Sequence, residues 1–162
     1  MTVLIAYASK HGATRDIAER IAAALRQHGQ ETDVRPVDTV RDAGQYEAAV
    51  LGSAVYYGQW LAPATSFVRE NQAALAALPV WLFSSGPLGD QPSIDPTDLV
   101  RLREALPGSQ HRTFAGALDR DHLGLAERVV AKVVHAPVGD FRDWAEIDAW
   151  SQDIVSQLAL GH

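Results

Sequence analysis

The chain is predicted to be an α/β protein: a doubly wound, five-stranded parallel sheet of order 2-1-3-4-5, with helices on both faces. Three observations carry this prediction. Short apolar runs alternate with segments of helical spacing along the whole chain, the pattern produced when each strand feeds a crossover helix that returns to start a parallel neighbour. Most of the apolar runs are nearly continuous, as strands covered on both faces must be. The run that does alternate, "TDVRPVD" at 32–38, contains Pro36, which has no backbone N–H to give a ladder and belongs at an edge.

The elements follow in order. Strand 1 is "TVLIAYA" at 2–8. The first helix is marked by Ile17, Ile21 and Leu25 at every fourth position, with Gly29 as its stop. Strand 2 is the edge run at 32–38, and strand 3 is "AAVLGSAV" at 48–55. The spacing then predicts a helix over 61–78, with Pro63 near its start and Phe67, Val68 and Leu75 on one side. Strand 4 is "PVWLFSS" at 79–85. In "SIDPTDLVRLREALPG", Asp95 reads as an N-cap, Pro96 as the first helical position, and Pro107 with Gly108 as the end. Strand 5 is "RTFAGAL" at 112–118. "LGLAERVVAKVV" at 123–134 is a helix candidate that sets Val129, Val130, Val133 and Val134 against Arg128 and Lys132. That pattern suits packing on the sheet or lying on a membrane surface. The last helix, 143–160, opens with Asp143 and Glu146 in capping-box spacing and aligns Ile147, Trp150, Ile154 and Leu158.

With 162 residues, the expectation is one domain over 1–162, large enough to bury roughly 70% of its unfolded surface without staples. There is no cysteine, which excludes disulfides, thiolate nucleophiles and iron–sulfur clusters and leaves redox chemistry to a bound cofactor. The formal charge of −6 argues against nucleic acid as a partner. The start "MTVLIAYASK" lacks a basic n-region, and no run approaches a membrane span. The expectation is a cytoplasmic protein without a transmembrane segment, with peripheral membrane contact left open.

The joint between strand 1 and the first helix, "SKHGAT", is longer than a connection requires. A loop entering a helix amino terminus offers backbone N–H groups and the positive end of the helix dipole to an anion. Gly12 permits close backbone approach, while Ser9 and Thr14 add hydroxyls. About four such hydrogen bonds at ~1.5–3 kcal/mol each would hold a phosphate without an arginine. The motif is neither GxxxxGK[ST] nor GxGxxG, and a solvated glycine turn is the plainer alternative. The carboxyl ends of strands 3 and 4, "SAVYYGQW" and "SSGPLGD", complete the edge where ligands of such sheets bind.

"SKHGATRDIA" resembles the phosphate loop of flavodoxins. "VLGSAVYYGQW", "FAGALDRDHLGLAERVV" and "GDFRDWAEIDAW" resemble more specifically the flavodoxin-type, menaquinone-dependent protoporphyrinogen oxidases. The resemblance implies a flavodoxin-like fold, bound FMN, oxidation of protoporphyrinogen IX and a quinone acceptor. It would place the FMN phosphate among Ser9, Lys10, His11, Gly12, Ala13 and Thr14. The ribityl chain and isoalloxazine would lie between Ser53, Ala54, Val55, Tyr56, Tyr57 and Gly58 on one side and Ser84, Ser85 and Gly86 on the other. This chain differs from the pattern at His11, where Thr or Ser is common, and at Tyr56, where the oxidases commonly have Arg. It differs again in the acidic segment after strand 4.

An aromatic at Tyr57 or Trp60 would stack on the flavin or pack as a rim residue on the next helix. Asp90 and Asp119 would approach the ring or stay solvated. His28, His111, His122, His135 and His162 have no metal-ligand spacing, and no hydrolase signature is present, so no metal and no catalytic side chain are expected. Three readings remain: an FMN-dependent oxidoreductase acting on a small reduced substrate, a diffusible electron carrier serving a redox protein partner, and a redox-silent interaction domain.

Overall fold

A computed structural model describes residues 2–9, 12–56, 59–88, 99–116 and 144–160. The elements in chain order are β1 (Thr2–Ala8), α1 (Ala13–Gln27), β2 (Glu31–Pro36), β3 (Ala48–Tyr56), β4 (Gln59–Trp60), α2 (Ala62–Glu70), α3 (Gln72–Ala76), β5 (Val80–Leu88), α4 (Leu99–Ala105), β6 (Gln110–Gly116) and α5 (Trp144–Leu160). The parallel order is β2-β1-β3-β5-β6, the expected arrangement with Pro36 on the edge strand. The sheet has a sixth member that the sequence did not announce: β4 turns back antiparallel on the end of β3, pairing Val55 with Trp60 and Tyr56 with Gln59.

Side chains of a strand alternate between faces, and the central strands use both. Val3 and Ile5 of β1, Ala48 and Val50 of β3, Trp81 and Phe83 of β5 and Phe114 of β6 pack with α1 and α5. Leu4 and Ala6, Ala49 and Leu51, Val80 and Leu82 pack with α2, α3 and α4 on the other face. The predicted helix stripes lie inward: Ile17, Ile21, Leu25, Ile147 and Ile154 have no exposed surface, and Phe67, Val68, Leu75, Trp150 and Leu158 are buried. Phe83, Phe114 and Trp150 meet with centroids 5.5–6.3 Å apart. Gly52 is opposite Phe83 in the ladder, and a Cβ there would overlap the Phe83 ring.

Two elements differ from expectation by more than a couple of residues at an end. The helix over 61–78 breaks at Asn71. The Asn71 side-chain amide donates to the Phe67 carbonyl (3.0 Å) and accepts from the Ala43 N–H (3.4 Å), competing with the helical ladder as asparagine side chains do. Strand β5 runs to Leu88, past the expected end at 85, through a register irregularity between Ser85 and Leu88. Asp95, Pro96, Asp143 and the helix candidate at 123–134 lie outside the described residues.

Candidate functional site

Parallel register decides where the site lies. Ala8 pairs with Ser53, Ser53 with Ser84 and Ala54 with Ser85, so β1, β3 and β5 release their loops level with one another at one edge of the sheet. The three segments singled out from the sequence are thereby adjacent, although they lie far apart in the chain.

In the first loop, Gly12 has φ +87°, the left-handed region that glycine enters without strain. Its N–H donates to Ser9 Oγ at 2.8 Å. The α1 ladder begins with the Asp16 N–H on the Gly12 carbonyl (3.0 Å), and the N–H groups of the first helical turn have no acceptor within a helix. Thr14 is fully buried, and its Oγ1 has no hydrogen-bond partner. Such an orphan costs about 1–3 kcal/mol, and among the described residues only Thr32 Oγ1 and Trp150 Nε1 share the condition. Arg15, with half its side chain exposed, places Nη2 3.8 Å from where a Cβ on Gly12 would stand. No spacing pattern marks Arg15 as a neighbour of this loop. Tyr7, at the base of the loop, has its phenol pushed up by burial, with Arg15 opposing and Glu19 and Asp38 adding. It stays protonated and neutral at physiological pH. Lys10 and His11 lie outside the described residues, and Ala13 opens α1.

The second and third loops treat their hydroxyls differently. Ser53 is fully buried; its Oγ donates to the Ala54 carbonyl (2.8 Å) and accepts from the Leu61 N–H (3.0 Å), clipping the β3–β4 return. Ala54 and Val55 are half-buried, and Tyr56 ends β3. Tyr57 and Gly58 lie outside the described residues. Trp60 is 5% exposed and donates its indole N–H to Ser84 Oγ at 2.7 Å. Ser84, fully buried, is also 2.7 Å from Nε2 of His111. The structure therefore places Trp60, Ser84 and His111 in one polar chain on the α2–α4 face. Ser85 is buried and Gly86 continues β5. His111 was missed because a single histidine on a strand carries no spacing signal. Asp90 and Asp119 lie outside the described residues.

A parallel sheet of this order, with a left-handed glycine and an orphaned hydroxyl at its first strand–helix joint, defines the doubly wound α/β class, whose sheet opens at the carboxyl ends of its strands. Within that class, the Flavodoxin domain family matches residues 4–143, and the chain belongs to it. A protoporphyrinogen IX dehydrogenase [quinone] of Escherichia coli (strain K12) is 24% identical, the alignment covering 95% of this chain and 94% of the relative. Among solved structures, a flavodoxin from the domain Archaea superposes with TM-score 0.66 at 18% identity, covering 98% of this chain and 99% of its own. A flavodoxin mutant of Fusobacterium nucleatum, bound to flavin mononucleotide, gives TM-score 0.55 at 19% identity over 70% of this chain and 68% of its own. The similarity to flavodoxins is thus one of fold, and the similarity to the dehydrogenase runs along nearly the whole sequence. Among the described residues no helix is long and apolar enough to cross a membrane.

Proposed function

We propose that the chain, acting as one domain, binds FMN at the carboxyl edge of β1, β3 and β5 and serves as an oxidoreductase. Its substrate would be a reduced small molecule of the protoporphyrinogen kind and its electron acceptor a quinone. The observation that carries the proposal is the Thr14 hydroxyl, buried without a partner at the head of α1 beside Gly12. A phosphate oxygen is the acceptor this group lacks. The absence of a side chain on Gly12 leaves room for it, and the helix dipole favours its charge. The residues therefore fit the group.

In this reading Ser9, Gly12 and Thr14 hold the phosphate together with Lys10, His11 and Ala13. The loops 53–58 and 84–86 flank the ribityl chain and the ring. Because the Ser53 and Ser84 hydroxyls are engaged within the protein, the backbone of these loops is left to meet the cofactor. Tyr57 is the proposed stacking aromatic, since Trp60 is committed to the core. Bound FMN supplies an isoalloxazine that accepts electrons from the substrate and passes them to the acceptor. The chain's part is to bind, orient and shield.

An anaerobic assay tests the function. The FMN-loaded protein is mixed with protoporphyrinogen IX, with menadione as acceptor, and porphyrin fluorescence is followed against a protein-free control. Faster porphyrin formation that depends on both FMN and menadione is expected. Formation no faster than the control overturns the substrate assignment. A second reading, an electron carrier for a redox protein, is favoured by the end-to-end superposition on an archaeal flavodoxin and by the net charge of −6. FMN binding without any reaction with protoporphyrinogen or menadione would select it. Failure to bind FMN would leave the redox-silent reading.

A further inference from the structure

We infer that the groove between α2 and α4 binds an apolar ring compound through its carboxylate, with Arg69 and Arg101 as the anion contacts. The groove, open to solvent along one side, has a volume of about 480 Å³, within the range of small-molecule sites. Its floor is apolar: Trp60, Val68 and Leu102 line it and are 3–5% exposed. The Trp60 ring is fixed there by its N–H on Ser84. Gln59, Arg69 and Arg101 form the polar rim. One end is spanned by Gln72, whose Nε2 donates to the Ala105 carbonyl at 3.4 Å.

The two arginines set the ligand's charge. Ion pairs among the described residues engage Arg15, Arg20 and Arg35 with Asp16, Asp148 and Asp33. Among the described residues, Arg69 donates to Ser66 Oγ at 3.3 Å, and neither Arg69 nor Arg101 forms an ion pair. In a chain of net charge −6, two guanidinium groups on one groove, neither ion-paired among the described residues, complement an anion. The Trp60, Val68 and Leu102 floor complements an apolar body. A guanidinium fork matches a carboxylate geometrically, and the volume suits a small molecule and not a folded partner. The groove begins at Gln59, directly after the 53–58 loop, and is lined by none of the residues proposed to hold FMN, so the inference does not rest on flavin binding.

The test is a fluorescence titration of the full chain with 1-pyrenebutyrate, with 1-pyrenebutanol as the uncharged counterpart, each with and without FMN. One saturable pyrenebutyrate site is expected, unaffected by FMN. Arg69→Gln/Arg101→Gln should weaken pyrenebutyrate about tenfold or more while pyrenebutanol binding and the thermal midpoint stay as in the wild type. Absence of a saturable site, equal pyrenebutyrate affinity in the double variant, or displacement of the probe by FMN would each overturn the inference.

Discussion

Thr14 and Ser53 are both fully buried hydroxyls near the carboxyl edge of the sheet, and their situations are opposite. Ser53 on β3 donates to Ala54 and accepts from Leu61, so its hydroxyl is used in closing the β3–β4 return. Thr14 at the head of α1 has no partner, beside a glycine held at φ +87°. Protein interiors rarely leave such a group unpaired. The satisfied hydroxyl belongs to the scaffold, whereas the unsatisfied one, at a helix head, is the proposed phosphate contact. The stability of this edge therefore rests on the β3 side, and its proposed ligand affinity on the α1 side.

The largest effect should come from breaking the ligand side. Gly12→Asp puts a carboxylate where the phosphate is proposed to approach, and like-charge juxtaposition costs several kcal/mol. FMN affinity should fall about 100-fold or more. Because Asp tolerates the left-handed region better than most residues, the far-UV spectrum should be retained. Titration calorimetry with FMN alongside circular dichroism checks both halves.

Breaking the scaffold side should do the reverse. Ser53→Ala strands the Leu61 N–H and should destabilise the fold by about 1–2 kcal/mol, read as a midpoint lower by a few degrees in thermal unfolding, roughly. The preference of the protein for FMN over riboflavin, which reports the phosphate, should persist. An unchanged midpoint would mean that the clip contributes little.

The smallest effect lies outside both regions and serves as a control. Arg20 on α1 pairs side-on with Asp148 on α5, both contacts 2.7 Å, and lies over the Trp144 ring. Its hydrogen bond and charge hold the Asp148 carboxyl below the usual carboxylate range, against a smaller opposing effect of burial. A lowered carboxylate stabilises above its unfolded pKa and ceases to do so as pH falls through the folded value. The midpoint difference between wild type and Asp148→Asn should therefore be present at neutral pH, begin to shrink near the usual carboxylate value of about 4, and disappear as pH falls through the lower folded value. For a pair this exposed it should amount to about a degree, with FMN affinity unaltered. A difference that survives at low pH would contradict the assignment to charge.

Much of the scaffold was legible because burial on both faces leaves a trace in the sequence. Ile17, Ile21 and Leu25, and Ile147, Trp150, Ile154 and Leu158, were placed inward by spacing alone and lie inward. Pro36 put β2 at the edge, where it is. The break at Asn71 was not legible, because one of its side-chain partners, Ala43, is distant in sequence. Nor was the short return strand β4, which depends on pairing with the end of β3. At the site, the segments were legible but the fates of their hydroxyls were not. Ser53, Ser84 and Thr14 look alike as letters, and only the fold shows that two are engaged and one is not. Trp60 was a candidate flavin cover and lies in the core on Ser84, a contact between strands that no local pattern encodes.

In the proposed site the Thr14 hydroxyl, buried without a partner, is completed by a phosphate. The most direct measurement is the ratio of FMN to riboflavin affinity in the wild type and in Thr14→Val, which keeps the shape and removes the hydroxyl. The wild type should prefer FMN, and Thr14→Val should lose about tenfold or more of that preference, while riboflavin binding is unchanged and the apoprotein is no less stable. Equal preference for FMN in both proteins, or tighter binding of riboflavin than of FMN by the wild type, would contradict it.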